Sequence, residues 1–533
     1  MKKIIVLILM LSNGLYFTGV TYAQFPSYST IDDLSESQAF AINGTADSGA
    51  FGLGASGIGD FNNDGLDDII IAARTSDPNG DASGACYVVY GSDGILPSNF
   101  DISQLNGTNG FAINGVSEND LTCVAVSSAG DVNNDGIDDI LIGARGANPD
   151  STIAKGAAYV IYGTENSMPS IFELSSLNGI NGFRMVGEAA GDWFGSDVSH
   201  IGDVNNDLID DIMIGALTAD NNGSSSGAVY VVFGRSAFPG SIDIGALDGT
   251  DGFMFNAPSA GIRLGAVSSA GDFNHDGIND MLMGAYYASP NAISFAGEAY
   301  LVYGQDTIGS GINFPATFEL SSIDSSTGIV FQGSNENDKF GQTLTYAGDV
   351  NHDGIDDVAI NAPSDDTNAS GSGAVYVIYG TATTYDTPIN IYDIDGSNGF
   401  VMYGENANDG AGSELAFGGD FNGDGKDDLI MGAPDADTPG TNYGSVYFLY
   451  GWDLPFPAAF DMDNLDNSNG FILEGNDNWD RTGSAVSNAG DFNGDGVSDL
   501  VVGVNGNDFN GASDGTVFVV FGSTDVIFKN SFD

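Results

Sequence analysis

Short apolar runs of five or six residues, separated by polar and glycine-rich stretches, recur along the chain between about residues 38 and 522. Each repeat carries four such runs. In the second repeat they are CVAVSSAGD (123–131), IDDILIGA (137–144), GAAYVIYG (156–163) and GFRMVG (182–187). The third run aligns best across the chain: GACYVVY, GAAYVIY, GAVYVVF, GEAYLVY, GAVYVIY, GSVYFLY and GTVFVVF. Alternating β-branched and aromatic residues between glycines predict a strand buried on both faces. No helical periodicity of three turns follows the N-terminal segment. Four antiparallel strands per repeat, seven times over, are therefore expected.

An open array of such repeats would expose an apolar face at each end, whereas radial closure removes both ends. The order of the runs favours closure. A lone strand of the fourth type, AFAING (39–44), precedes the first full repeat, and the last repeat stops after GTVFVVFG (515–522). The N-terminal strand is expected to complete the last blade. The predicted fold class is all-β: a seven-bladed β-propeller with four antiparallel strands per blade, spanning 38–522 after a lead-in at 24–37.

A nine-residue loop joins the first and second runs of every repeat. Its first copy is DFNNDGLDD at 60–68, and the next copies begin 71, 72, 69, 77, 71 and 71 residues apart. Side-chain oxygens stand at positions 1, 3, 5 and 9, with glycine at 6 in all but the third copy. This spacing turns alternate side chains to the inside of a tight loop, where a hard cation takes oxygen ligands. The glycine allows the left-handed turn, and the residue at 7 offers its backbone carbonyl. The candidate ligands of the first loop are Asp60, Asn62, Asp64, Leu66 and Asp68, and those of the second are Asp131, Asn133, Asp135, Ile137 and Asp139. The third has Asp203, Asn205, Asp207, Ile209 and Asp211, and the fourth Asp272, Asn274, Asp276, Ile278 and Asp280. The fifth has Asp349, Asn351, Asp353, Ile355 and Asp357, and the sixth Asp420, Asn422, Asp424, Lys426 and Asp428. The seventh has Asp491, Asn493, Asp495, Val497 and Asp499. Asp and Asn favour turns on their own, so a single copy would say little. Seven copies with the same oxygens point to a cation. Helix-flanked calcium loops do not fit, because strands follow these loops and position 12 is not glutamate.

Charge agrees with that reading. The chain has 73 acidic and 12 basic residues, a formal net charge of −61. Nucleic acid and anionic membranes are poor partners for such a surface. The N-terminus combines Lys2 and Lys3, an apolar run from Ile4 and the small-residue end Thr21-Tyr22-Ala23, the pattern of a secretory signal peptide over 1–23. Secretion is expected, with no membrane span in the mature chain. Cys86 and Cys123 are read as two buried small residues, a single disulfide being the alternative. Catalytic signals are thin. Gly223–Gly227 and Gly511–Gly515 match G-x-S-x-G, but both precede a strand rather than a helix. His275 and His352 stand at position 4 of their loops, and His200 lies in a first strand. No spacing among the other carboxylates singles out an acid–base pair.

Phe51-Gly52, Phe194-Gly195 and Phe340-Gly341 precede their loops by eight or nine residues. Ala362-Pro363 and Gly432-Ala433-Pro434 close second strands. With the loops, these residues resemble the FG-GAP repeat of the integrin α-chain N-terminal propeller, which also occurs in bacterial secreted proteins. The resemblance implies Ca²⁺ in each loop, up to seven ions, held by the five positions above. Leu208 replaces the glycine of the third loop, and Thr122-Cys123, Arg263-Leu264, Ala411-Gly412 and Thr482-Gly483 replace Phe-Gly elsewhere. No inter-loop spacing leaves room for an inserted adhesion domain. The resemblance also implies a ligand face opposite the metal loops, where Trp193, Tyr286, Tyr287, Phe295 and Trp479 fall. The expected function is a secreted binding or adhesion module for an extracellular protein or glycan. A polysaccharide lyase or hydrolase on the same ring, or a purely structural surface protein, are the alternatives. The tail over 523–533 has no assigned role.

Overall fold

A computed structural model of the chain describes residues 28–45, 49–94, 100–148, 154–437, 441–453, 456–506 and 515–523. The expected signal peptide, residues 511–514 of the second G-x-S-x-G match and the tail beyond Ser523 lie outside these residues. The described strands form seven sheets. In the second blade Ala125–Gly130, Asp139–Ala144, Ala157–Ile161 and Gly182–Val186 are antiparallel neighbours, in chain order from the centre outward. The other six sheets repeat this order.

Each sheet also has a fifth strand, which the four-strand expectation missed. Ser241–Asp243 runs parallel to Gly182–Val186 at the rim of the second blade, although it belongs to the third repeat. In blades one to six the chain leaves the third strand, reaches back to the rim of the preceding blade, turns through a short 3₁₀ segment and only then makes its fourth strand. The rim strands have two or three residues each, too few for a period to register in sequence.

Ring closure follows the expected route and adds a second contact. Ala39–Asn43 pairs antiparallel with Thr516–Val520 and completes the seventh blade. Tyr28–Thr30 pairs parallel with Ile472–Glu474 and supplies the rim strand of the sixth blade. The lead-in thus already pairs with the ring from Tyr28 onward.

The core is divided among seven apolar clusters, one at each blade–blade interface. Val229 and Phe253 of the third blade pack with Met281 and Tyr300 of the fourth. Ile42 and Val519 of the seventh blade meet Ile69 and Ile71 of the first in the same way. Every residue of every second strand is buried. A sheet sandwiched between two others needs apolar residues on both faces, which explains the continuous runs in place of strict alternation.

Cys86 and Cys123 form a disulfide, with Cα atoms 5.9 Å apart, which corrects their reading as free buried residues. Cys86 lies on the third strand of the first blade and Cys123 at the entry to the second. Both face the interface between those blades, a contact that their separation of 37 residues does not reveal.

Candidate functional site

Each nine-residue loop forms the hairpin turn between first and second strands, and its backbone explains its composition. Position 6 is left-handed in every copy, with φ between 85° and 92° at the six glycines and 71° at Leu208. Position 4 is left-handed as well: Asn63, Asn134, Asn206, His275 and His352 have φ between 56° and 61°. Asn, His and Gly tolerate that conformation best, so the two loop histidines are turn residues.

The carboxylates then arrange themselves in a fixed way. Asp60 accepts hydrogen bonds from the amides of Asp64 and Gly65, both at 2.8 Å, and the first Asp of each other loop does the same. The Asp at position 5 accepts the amide of position 7 in all seven copies. Position 9 starts the second strand and is buried throughout. One of its oxygens accepts the amide of the glycine that ends the third strand, Gly91 for Asp68 and Gly163 for Asp139, both at 2.9 Å.

Position 9 carries the electrostatic signature of the site. Burial, opposed in part by these amides and aided by the charges at positions 1 and 5, pushes Asp68 up to about 8, Asp139 to about 9 and Asp499 to about 8. Asp211, Asp280, Asp357 and Asp428 are driven well above the usual carboxylate range for the same reasons. A buried carboxylate among ionised neighbours calls for a positive charge. The second oxygens of Asp68 and Asp357 and the amide oxygens of Asn62, Asn205 and Asn351 are buried without a hydrogen-bond partner. These orphans occupy positions 9 and 3, where ligand oxygens are expected, and a hard cation would satisfy them. Among the described residues, no three Asp, Glu, His or Cys side chains close on one point. A cation in the loop would therefore need the position-3 amide and position-7 carbonyl as well as the carboxylates. The sixth loop differs, because the Lys426 ammonium lies 3.4 Å from Asp424.

Position 8 was not recognised from sequence. Asp138 of the second blade accepts the backbone amide of Asp60, the first residue of the neighbouring loop, at 3.0 Å. Asp210, Asp356, Asp427 and Asp67 do the same for Asp131, Asp272, Asp349 and Asp491. The last of these joins the first blade to the seventh. A Cβ at the glycine before each loop would collide with the neighbour's position-8 side chain, as at Gly59 against Asp138. The signal was present as the first Asp of the DD pair in five loops, but its partner lies on another repeat.

Two further carboxylates were missed. Asp197 and Glu414 stand six residues before the first loop Asp of their repeats. They line a central cavity of about 510 Å³ bounded by the first strands, with His200 and Tyr346 as its other titratable groups. Asp197 accepts the Val267 amide at 2.9 Å, satisfying a free strand edge of the next blade. His200 lies 3.4 Å from Asp210.

On the links of the opposite face, Tyr287 contacts Tyr286 (4.6 Å between ring centres), Phe295 (5.2 Å) and the Arg263 guanidinium (4.7 Å). Trp193 is 39% exposed under Arg145, at 5.0 Å, and Trp479 is 61% exposed on the link to the seventh blade. Tyr286, Tyr287 and Phe295 thus form one cluster, and the two tryptophans stand on other links. The Gly223–Gly227 match leads into the strand Ala228–Val232, and the Ser226 hydroxyl donates to the Ala219 carbonyl. That serine is a turn residue.

The FG-GAP repeat signature matches residues 124–161, 264–302, 340–378, 411–449 and 482–520, which are the second and the fourth to seventh blades. Human phosphatidylinositol-glycan-specific phospholipase D is 30% identical over 211 residues, 38% of this chain and 22% of that protein. Its Dictyostelium discoideum counterpart is 26% identical over 340 residues, 61% of this chain and 33% of its own length. Integrin alpha-4 of Xenopus laevis is 30% identical over 184 residues, covering 34% and 15%. The chain thus spans between about a seventh and a third of these relatives. Five matched repeats, seven blades and this shared similarity agree: the chain is a seven-bladed β-propeller that carries five FG-GAP repeats and is related to integrin alpha chains and phosphatidylinositol-glycan-specific phospholipase D.

Proposed function

We propose that the protein is a secreted, calcium-binding propeller that serves as a binding or adhesion module for an extracellular protein or glycan. The observation that carries the calcium reading is the buried position-9 carboxylate repeated in all seven loops, with unpartnered buried oxygens at positions 3 or 9 of the first, third and fifth. Each loop would hold Ca²⁺ through the carboxylates at 1, 5 and 9, the position-3 amide oxygen and the position-7 carbonyl. Bound there, the ion supplies positive charge to the buried Asp and ties two strands together; it takes part in no reaction. Melting the protein in 1 mM Ca²⁺ and in excess EGTA tests this reading. A large fall in melting temperature is expected, and an unchanged curve after verified metal removal would refute it.

For the partner, the face opposite the metal loops presents aromatic rings on links, among acidic and small polar residues. Such rings stack on sugars and anchor protein partners. The double change Tyr286→Ala and Tyr287→Ala is expected to weaken ligand capture on a glycan array or in a pull-down, with melting unchanged. An enzymatic reading draws on the phospholipase D relatives, but the chain spans only about a fifth of the human protein. Turnover in an assay on acidic polysaccharides or glycosyl-phosphatidylinositol lipids would favour it over the binding module.

A further inference from the structure

The fifth and sixth blades enclose a pocket that neither the loops nor the aromatic cluster explains. Its volume is about 230 Å³, and it is lined by the carboxylates of Glu405, Asp409, Asp463 and Glu474 against the apolar surfaces of Tyr447 and Ile472. Among the described residues no Lys, Arg or His lines it. Glu474 is only 3% exposed and has no hydrogen-bonding or ionic partner among the described residues.

The same register in the fourth blade shows how a carboxylate at this place can be satisfied. There Gln332 stands opposite Glu298, as Glu474 stands opposite Ser445. The Gln332 amide donates to Glu298 at 2.9 Å, and the Tyr300 hydroxyl donates to the same carboxylate. In the sixth blade Ser445 takes the place of Glu298 and Glu474 that of Gln332, so the pair keeps a carboxylate but loses the amide donor. A buried carboxylate without a donor is costly unless something supplies one.

We propose that this pocket binds a primary ammonium group on a short apolar stem, the chemistry of a lysine side chain. The ammonium brings three donors and one charge, and its methylene stem suits the Tyr447 and Ile472 wall. A divalent ion is the competing occupant, and the titration below separates it from the amine. Burial alone raises Glu474 to about 7, as expected for an acid that lacks its counter-ion.

The test uses the full chain in saturating Ca²⁺, titrated calorimetrically with n-pentylamine, with Nα-acetyl-lysine N-methylamide and with 1-pentanol. Saturable binding of pentylamine but not of the alcohol is expected. Binding of the capped lysine as well identifies a side chain of a protein partner as a source; pentylamine alone identifies a free amine. Glu474→Gln should weaken binding about tenfold or more, and Gln332 shows that this register accepts glutamine. Asp463→Asn, on the rim, gives a second variant with a smaller loss if Glu474→Gln fails to fold. Absence of saturable amine binding, equal affinity in both variants, or Mn²⁺ binding that depends on Glu474 and excludes the amine would overturn the proposal.

Discussion

Leu208 holds the left-handed conformation that glycine holds at the same place in the other six loops, and its side chain is 86% exposed. Nothing packs in return for a strain of about 1–2 kcal/mol. Leu208→Gly should therefore raise stability by about 1 kcal/mol in EGTA, less the extra chain entropy of glycine, and tighten Ca²⁺ binding at the third loop. Urea unfolding with and without metal reads both effects. The clasp residue Asp138 makes the opposite case. Its carboxylate holds the Asp60 amide across the blade boundary, and Asp138→Ala should cost about 1–3 kcal/mol. A melting temperature equal to the parent's would show that water replaces the carboxylate without loss.

At the scale of the element, the N-terminal segment closes two blades by different means. Ala39–Asn43 fills the fourth place of the seventh blade and contributes Phe40 and Ile42 to the closing interface. Tyr28–Thr30 adds three rim residues to the sixth blade, and Ile31 of the following turn is buried there. Removing residues up to 27 should leave the fold intact, and removal through 34 should lower the melting temperature moderately. Removal through 44 should leave an open strand edge at the seventh blade and lead to aggregation. Size-exclusion chromatography of the three truncations separates these outcomes.

For the whole molecule, the proposed ions would link the ring's stability to calcium, and its buried acids link it to pH. At a dissociation constant of about 10⁻⁴ M, usual for extracellular modules, about 1 mM Ca²⁺ stabilises each site by roughly 1.4 kcal/mol. Seven independent sites would contribute on the order of 10 kcal/mol, as much as an ordinary domain's entire stability. The central cavity acts in the other direction. Burial, with the nearby Asp197 charge, pushes Glu414 up to about 8, and burial pushes Asp197 to about 6. An acid whose folded value is raised stabilises the fold while protonated, and that contribution is lost as pH rises. For Glu414 the loss runs from its unfolded value near 4.5 to about 8. In saturating Ca²⁺, Glu414→Gln should melt close to the parent at pH 4.5 and progressively above it up to pH 8. Parallel melting curves across that range would show that cavity water solvates the carboxylate fully.

Much of this was legible in the chain because a repeat states its rules seven times. The third-strand run, the loop oxygens and the displaced strand at 39–44 determined the blade number, the place of the nine-residue loops and the route of closure, since each depends on a pattern that one repeat carries. What the tertiary structure decided lies between repeats. The rim strands, the position-8 clasp, the Cys86–Cys123 link and the facing acids Asp197 and Glu414 all join residues of different blades. Their separation in sequence carries no period, and their chemistry shows only when the ring brings the blades together. The unpartnered Glu474 is the sharpest instance: in sequence it is one acid among many, and only its burial beside three others sets it apart.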